Sequence, residues 1–356
     1  MKSSRLVASA ALSCVLLISA CSDSDDGGSS SEDASSSQSS GEGDGQDSAK
    51  ASGGDDDTVT AEPEGVASVD TVEAEAIATD LLTKAAKVGN GDGKEIESDA
   101  KAAFRGNAYY AALASDELEE INGEPPTRDL ITDPVEPTVL AISRDDADAP
   151  LLMLVQTVPD SGPPELYVMA SPDTPENFRI VWWAPMLPGT DIGTFDRRSV
   201  GSPILRQGAG DLEQSPQKVF AALADSIDYP VGEKFEVKSN GYAPAVREAA
   251  DEQAGEVSEQ AEFSESNELR TRAYTFIRED GSAVSFAALK RETDFDVRDG
   301  MELTPPDSFL VFNDDEVITS RARLNTYVYV ALAIPQDDSR PEMVAAREQL
   351  VSAVGS

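Results

Sequence analysis

The sequence predicts an α+β protein: two tandem helix-plus-antiparallel-sheet units behind a disordered linker. Three observations carry this expectation. Apolar residues recur at helical spacing in two separate regions. Each region is followed by apolar runs of strand length, separated by Asp-, Gly- and Pro-rich turns. Ahead of both lies a long Ser, Gly, Asp and Glu stretch with almost nothing to bury.

The first 20 residues read as a signal. Lys2 and Arg5 precede an apolar run of about 15 residues, short of the ~20 that a membrane-spanning helix needs. Residues 22–64 then carry too little apolar surface to offset the entropy of ordering, so disorder is expected. As a flexible chain of about 45 residues this stretch has an end-to-end distance of roughly 35–40 Å, lengthened by self-repulsion.

Order begins near Val69. Asp70-Thr71-Val72-Glu73 has the form of a capping box, and Ile77, Leu81, Leu82, Ala85 and Val88 follow at helical spacing up to Gly89. A second helix is expected over residues 98–114, with Phe104, Tyr109 and Ala112. Strands are expected at 138–144, 151–158, 165–170 and 178–184. The series then recurs, with helices at 215–227 and 245–260 and a hairpin from Ala273. "AYTFIREDGSAVSFAALKRET" parallels the earlier "VLAISRDDADAPLLMLVQTV", each an apolar strand, an arginine, an acidic turn and a second apolar strand. Further strands are expected at 309–312 and 323–334. A last helix is expected from the capping box Ser339-Arg340-Pro341-Glu342, carrying Met343, Leu350 and Val354. The domain reading is a signal at 1–20, a lipidated cysteine and linker at 21–66, and α+β units at 67–200 and 201–356. One larger domain with similar hairpins is the alternative.

Composition narrows the function. The chain has 28 basic and 67 acidic side chains, a net charge of −39, which sets it against nucleic acid and anionic lipid. It contains no histidine, and its two cysteines are Cys14, inside the signal, and Cys21. Ser-His-Asp and Cys-His catalysis are excluded, as are zinc sites built on histidine. Carboxylate chemistry survives. No spacing singles out an acid and a base, so no catalytic residue, cofactor or metal is expected. "VGNGDGKEIESD" falls on a calcium-loop pattern at Asn90, Asp92, Gly93 and Asp99. Val88 stands where the first carboxylate is needed, so the stretch reads as an interhelix loop.

Two resemblances follow from quotable residues. Ile18-Ser19-Ala20-Cys21 resembles the bacterial lipobox, which implies cleavage before Cys21 and a diacylglyceryl, palmitate-type anchor on its sulfur. With the acidic linker and "FRIVWWAPMLPGT", the chain resembles uncharacterised lipoproteins of actinobacteria. The twice-repeated helices-then-meander layout resembles tandem cystatin-like or nuclear-transport-factor-two-like domains. The abundance of alanine, and of arginine over lysine, fits such a high-GC source. The resemblance implies fold and an extracytoplasmic, lipid-anchored location at the cell membrane, and no activity.

Trp182 and Trp183 are adjacent on an expected strand and so face opposite ways. Together with Tyr167 and Met169, and with Tyr327 and Tyr329 from the second half, they are the candidate ligand or partner face. Packing between the two units is the competing reading. The expected function is a non-catalytic envelope lipoprotein that binds the bilayer through its anchor and another envelope protein or a small apolar ligand through this face. The alternatives are a solute-binding lipoprotein of a transporter and a carboxylate-based glycan hydrolase.

Overall fold

The computed structural model describes residues 65–88, 93–122, 136–146, 150–160, 162–231 and 237–356. The signal, Cys21 and the acidic linker lie outside these residues, as do Asn90 and Asp92 of the calcium-like stretch. All described residues belong to one compact unit. The fold is α+β with two antiparallel sheets.

Helix α1 (Thr71–Val88) starts where the capping residue places it: Asp70 Oδ1 accepts the Val72 amide at 2.9 Å. Its buried stripe is Ala74, Ala78, Leu81, Leu82, Ala86 and Val88. The single helix expected over 98–114 is instead two, α2 (Gly93–Ala103) and α3 (Asn107–Glu117), with the short α4 (Glu119–Asn122) beyond. The break has a tertiary cause. Phe104 forms a parallel bridge to Ile180, and the Arg105 amide donates to Ile180 O at 3.0 Å. Gly106 then turns the chain at a φ of 63°, a conformation that disfavours any side chain.

Strands β1 (Thr138–Ile142), β2 (Leu151–Thr157), β3 (Glu165–Ser171) and β4 (Arg179–Pro185) form a meander in that order. One face, with Met153, Val155, Tyr167 and Met169, packs on α1–α3. The other, with Leu152, Leu154, Leu166 and Val168, packs on the second sheet. A register shift opposite Val168 and Met169 takes Val181 out of the pairing. Ile180 and Trp182, two residues apart, therefore lie on opposite faces, because a bulge reverses the period-two alternation.

In the second half, too, helices precede strands. Helices α5 (Pro216–Ser226) and α6 (Tyr242–Val257) precede β5 (Ala261–Leu269), β6 (Tyr274–Ile277), β7 (Ala283–Val297), β8 (Arg321–Ile334) and β9 (Glu342–Gly355). The sheet order is β5-β7-β8-β9, and β6 takes the place of β5 further along β7. Val219, Phe220 and Leu223 of α5 and Val246 of α6 pack on Leu289, Val328 and Val330. The molecule is layered helix, sheet, sheet, helix. Residues 199–205 stitch the sheets together at their edges: Ser202 bridges Ser143, and Ile204 bridges Phe276. The sequence boundary between 200 and 201 thus falls inside a paired segment.

Two expectations are corrected. The last helix, expected from Ser339-Arg340-Pro341-Glu342, is strand β9, carrying Met343, Leu350 and Val354. It pairs with β8 along its whole length, from Ala322↔Gly355 to Ala333↔Glu342, and that ladder outweighs a local capping signal. Residues 309–312, expected as a strand, lie in and after the short helix α7 (Asp307–Leu310), which Pro305 and Pro306 introduce. Strand β5 escaped the sequence reading because "AEFSESNEL" turns polar residues inward. With β9 in place, the second sheet has five strands.

Trp182 is 1% exposed, and its indole N–H donates to Ala287 O at 2.9 Å across the layer between the sheets. Trp182→Ala should therefore cost about 3–5 kcal/mol, the range for large aromatic deletions in a core. Urea denaturation followed by circular dichroism measures the loss; a change below about 1 kcal/mol contradicts this packing role.

Candidate functional site

The structure brings five of the six candidate aromatic-face residues together. Trp182 meets Phe286 at 4.9 Å between ring centroids and Tyr329 at 6.4 Å. Trp183 meets Tyr329 at 5.3 Å and Phe104 at 5.2 Å, and Tyr327 meets Tyr329 at 6.5 Å. The Arg347 guanidinium lies 4.2 Å from the centre of the Trp183 ring, a cation–π contact. Tyr167 pairs with Trp183 across the strands and donates its hydroxyl to Glu165 Oε2 at 2.5 Å. Met169 stands apart, buried beneath the helices beside Ile180.

These residues do not form an open face. Tyr167, Met169, Trp182 and Tyr329 are buried, while Trp183 and Tyr327 are half-buried. The candidate ligand or partner face is covered by the other sheet, as the competing packing reading has it, because both faces of each sheet carry apolar rows. The aromatic cluster is a seam. Burial pushes the Tyr329 hydroxyl well above the usual phenol range, and that hydroxyl has no hydrogen-bond partner.

At one end of the seam, the Trp182 indole borders a cleft of about 170 Å³. The cleft forms where three local irregularities meet. The α2–α3 break supplies Arg105, Gly106 and Asn107; the β4 bulge supplies Val181 beside Trp182; the β5–β6 connection supplies Thr271 and Tyr274. On β7, Ala288 presents only a methyl group to the seam, and Ala287, whose side chain faces the helices, contributes its backbone. The Arg105 guanidinium donates to Asn177 O at 3.1 Å. The Asn107 amide nitrogen is buried without a partner, and no side chain caps α3. Burial raises the Tyr274 hydroxyl pKa, while the Arg105 charge opposes the shift. Sequence reading singled out Trp182 here and missed Arg105, Asn107 and Tyr274. The glycine after Phe104-Arg105 was the available sign that the helix breaks there.

A second polar cluster lies inside the core between β5, β7, β9 and the two helices. Arg291, 4% exposed, grips Glu348 with two parallel hydrogen bonds of 2.8 and 3.0 Å. Its Nε donates to Asn267 Oδ1 at 3.2 Å, and Asn267 in turn donates to Asp228. Tyr242 donates its hydroxyl to Glu348, and Thr293 donates to Glu265 at 2.9 Å. The carboxylates hold the guanidinium charged against its desolvation. Desolvation raises the Glu265 pKa, with the Arg291 charge opposing it, and also raises Asp228. The sequence signal for this cluster was an arginine in phase with Ala287 and Leu289 on β7. Among the described residues, no group of three or more Asp, Glu, Cys or His side chains is placed to hold a metal ion.

Removing the cation should be severe: Arg291→Met leaves Glu348 buried and unpaired, at a cost of about 3–5 kcal/mol in urea unfolding. Glu265→Gln should act the other way. The folded state raises the Glu265 pKa, so its contribution is fully present below the ordinary carboxylate pKa and is lost as pH rises through the raised value. The neutral variant should therefore melt higher than the parent at pH 7–8 and match it near pH 3–4, by calorimetry across that range. An unchanged difference at both pH values contradicts the burial penalty. Comparison with family models, curated proteins and solved structures finds no match to this chain.

Proposed function

We propose that this protein is a lipid-anchored, extracytoplasmic lipoprotein whose folded unit binds a ligand or an envelope partner without catalysis. The observation that carries the reading is Ile18-Ser19-Ala20-Cys21, preceded by Lys2, Arg5 and a short apolar run and followed by a Ser- and Asp-rich stretch. The two acyl chains of a thioether-linked diacylglycerol give the two hydrophobic signals that stable anchoring requires. The linker at 22–64 acts as a disordered acidic leash, and the folded part is a pair of tandem units of related layout. The order of helices and then strands in both halves supports that pairing. Between the units, the seam cleft offers a mixed polar and aromatic lining for a small ligand.

The transporter-type alternative requires β-α-β units around an interdomain cleft, and the grouped antiparallel strands speak against it. The glycan-hydrolase alternative requires two carboxyl groups facing a cleft. The buried acids Glu265 and Glu348 are both engaged inside the core network, and neither borders the seam cleft.

The anchor is tested by expressing the full chain and its Cys21→Ser variant in a bacterium fed an alkyne-tagged palmitate. The parent should carry the label and sediment with membranes, while the variant should lose both. Equal labelling of the two chains refutes lipidation at Cys21.

A further inference from the structure

We propose that the seam cleft binds a small organic monocarboxylate with a flat, apolar body, its carboxylate held by Arg105 and Asn107. This deepens the ligand-binding reading of the same cleft and rests on it. Size comes first. An apolar cavity of about 150 Å³ accommodates benzene, so a cleft of about 170 Å³ suits one ring with a carboxylate at its mouth. The body of such a ligand meets Trp182, Tyr274 and the Ala288 methyl group, surfaces suited to a flat apolar group.

Charge selects the head group. The chain carries 67 acidic side chains against 28 basic ones, yet among the described residues those bordering this cleft include an arginine and no acid. Several arginines are engaged by carboxylates, as Arg144 is by Asp196, Arg198 by Glu75, and Arg323 by Asp294, while Arg179 and Arg247 donate to main-chain carbonyls. Arg105 also donates to a main-chain carbonyl and, among the described residues, makes no ion pair. Its remaining N–H groups form a planar fork that matches a carboxylate. Beside it stands the Asn107 amide nitrogen, a buried donor without an acceptor, whose desolvation is uncompensated until a ligand supplies one. Both groups are donors, so the complement is an acceptor. The strong negative charge of the whole molecule disfavours multiply charged anions, which leaves the single charge of a monocarboxylate.

The test titrates the full-length protein with benzoate and, separately, with its neutral counterpart benzyl alcohol, followed by ligand-observed NMR and tryptophan fluorescence. Benzoate should bind saturably and at least tenfold more tightly than benzyl alcohol. Arg105→Gln should weaken benzoate at least tenfold and leave benzyl alcohol unchanged. Thr271→Trp, which fills the mouth and retains every charge, should abolish both while keeping the parent melting temperature. Absence of benzoate binding, equal affinity for the two probes, or unaltered binding in either variant overturns the proposal. Saturable benzyl alcohol binding that Thr271→Trp abolishes, with no preference for benzoate, refutes the carboxylate class alone and leaves a neutral-ligand cleft. Failure of both probes removes support for the cleft as a ligand site without touching the lipid anchor, which the palmitate label reads independently.

Discussion

The burial of Trp182 between the two sheets is the constraint on which the rest of the structure depends. An indole is large and carries a donor that must be satisfied when it leaves water. Here the apolar surface is absorbed by Phe286 and Tyr329, and the N–H finds Ala287 O on the opposite sheet. That hydrogen bond fixes the position of one sheet against the other along the strands. It also dictates a small residue nearby. Ala288 leaves room for the ring, and the bulge at Val181 turns it towards the second sheet instead of the helices. The cleft is the remainder of that arrangement, a gap left where a bulge, a helix break and an alanine coincide.

The other half of the architecture rests on a different kind of interaction. The sheet face beneath α5 and α6 is apolar at one end and at the other, with a polar layer between. Arg291 organises that layer. A buried guanidinium is tolerable only when its donors are satisfied, and here Glu348 and Asn267 satisfy them from β9 and β5. Asp228 and Tyr242 then tie the end of α5 and the start of α6 to the same network. Such a layer specifies which helix lies over which strand, since any other docking leaves charges unpaired in the core.

On the proposed reading, a lipid anchor and a compact unit with a small aromatic cleft suit a protein that holds something near a membrane surface. The net negative charge of the chain repels anionic headgroups. In the same field, a cleft bordered, among the described residues, by arginine and by no acid is a local exception.

Much of the fold was legible in the sequence. The apolar periodicities located α1, α5, α6 and the strands from β1 to β4 to within a few residues, because these elements bury a regular stripe or face. The absence of histidine and of thiols beyond Cys14 and Cys21 restricted the available chemistry without reference to any structure. Local signals failed where tertiary pairing overruled them. Residues 339–342 look like a helix start, yet β8 supplies a ladder that a helix there would leave unpaired. The expected helix over 98–114 breaks because the β4 edge captures Phe104 and Arg105. The aromatic residues were found from their type and alternation, but a sequence does not show which sheet face another layer will cover. By itself, then, the sequence determined the α+β class, the order of most elements and the short list of possible chemistry, since these follow from local pattern and residue type. Only the tertiary structure decided that Trp182 and Tyr329 close a seam, that β9 is a strand, and that Arg105 and Asn107 reach the same cleft. Each of those depends on contacts between residues far apart in the chain, which no local periodicity encodes.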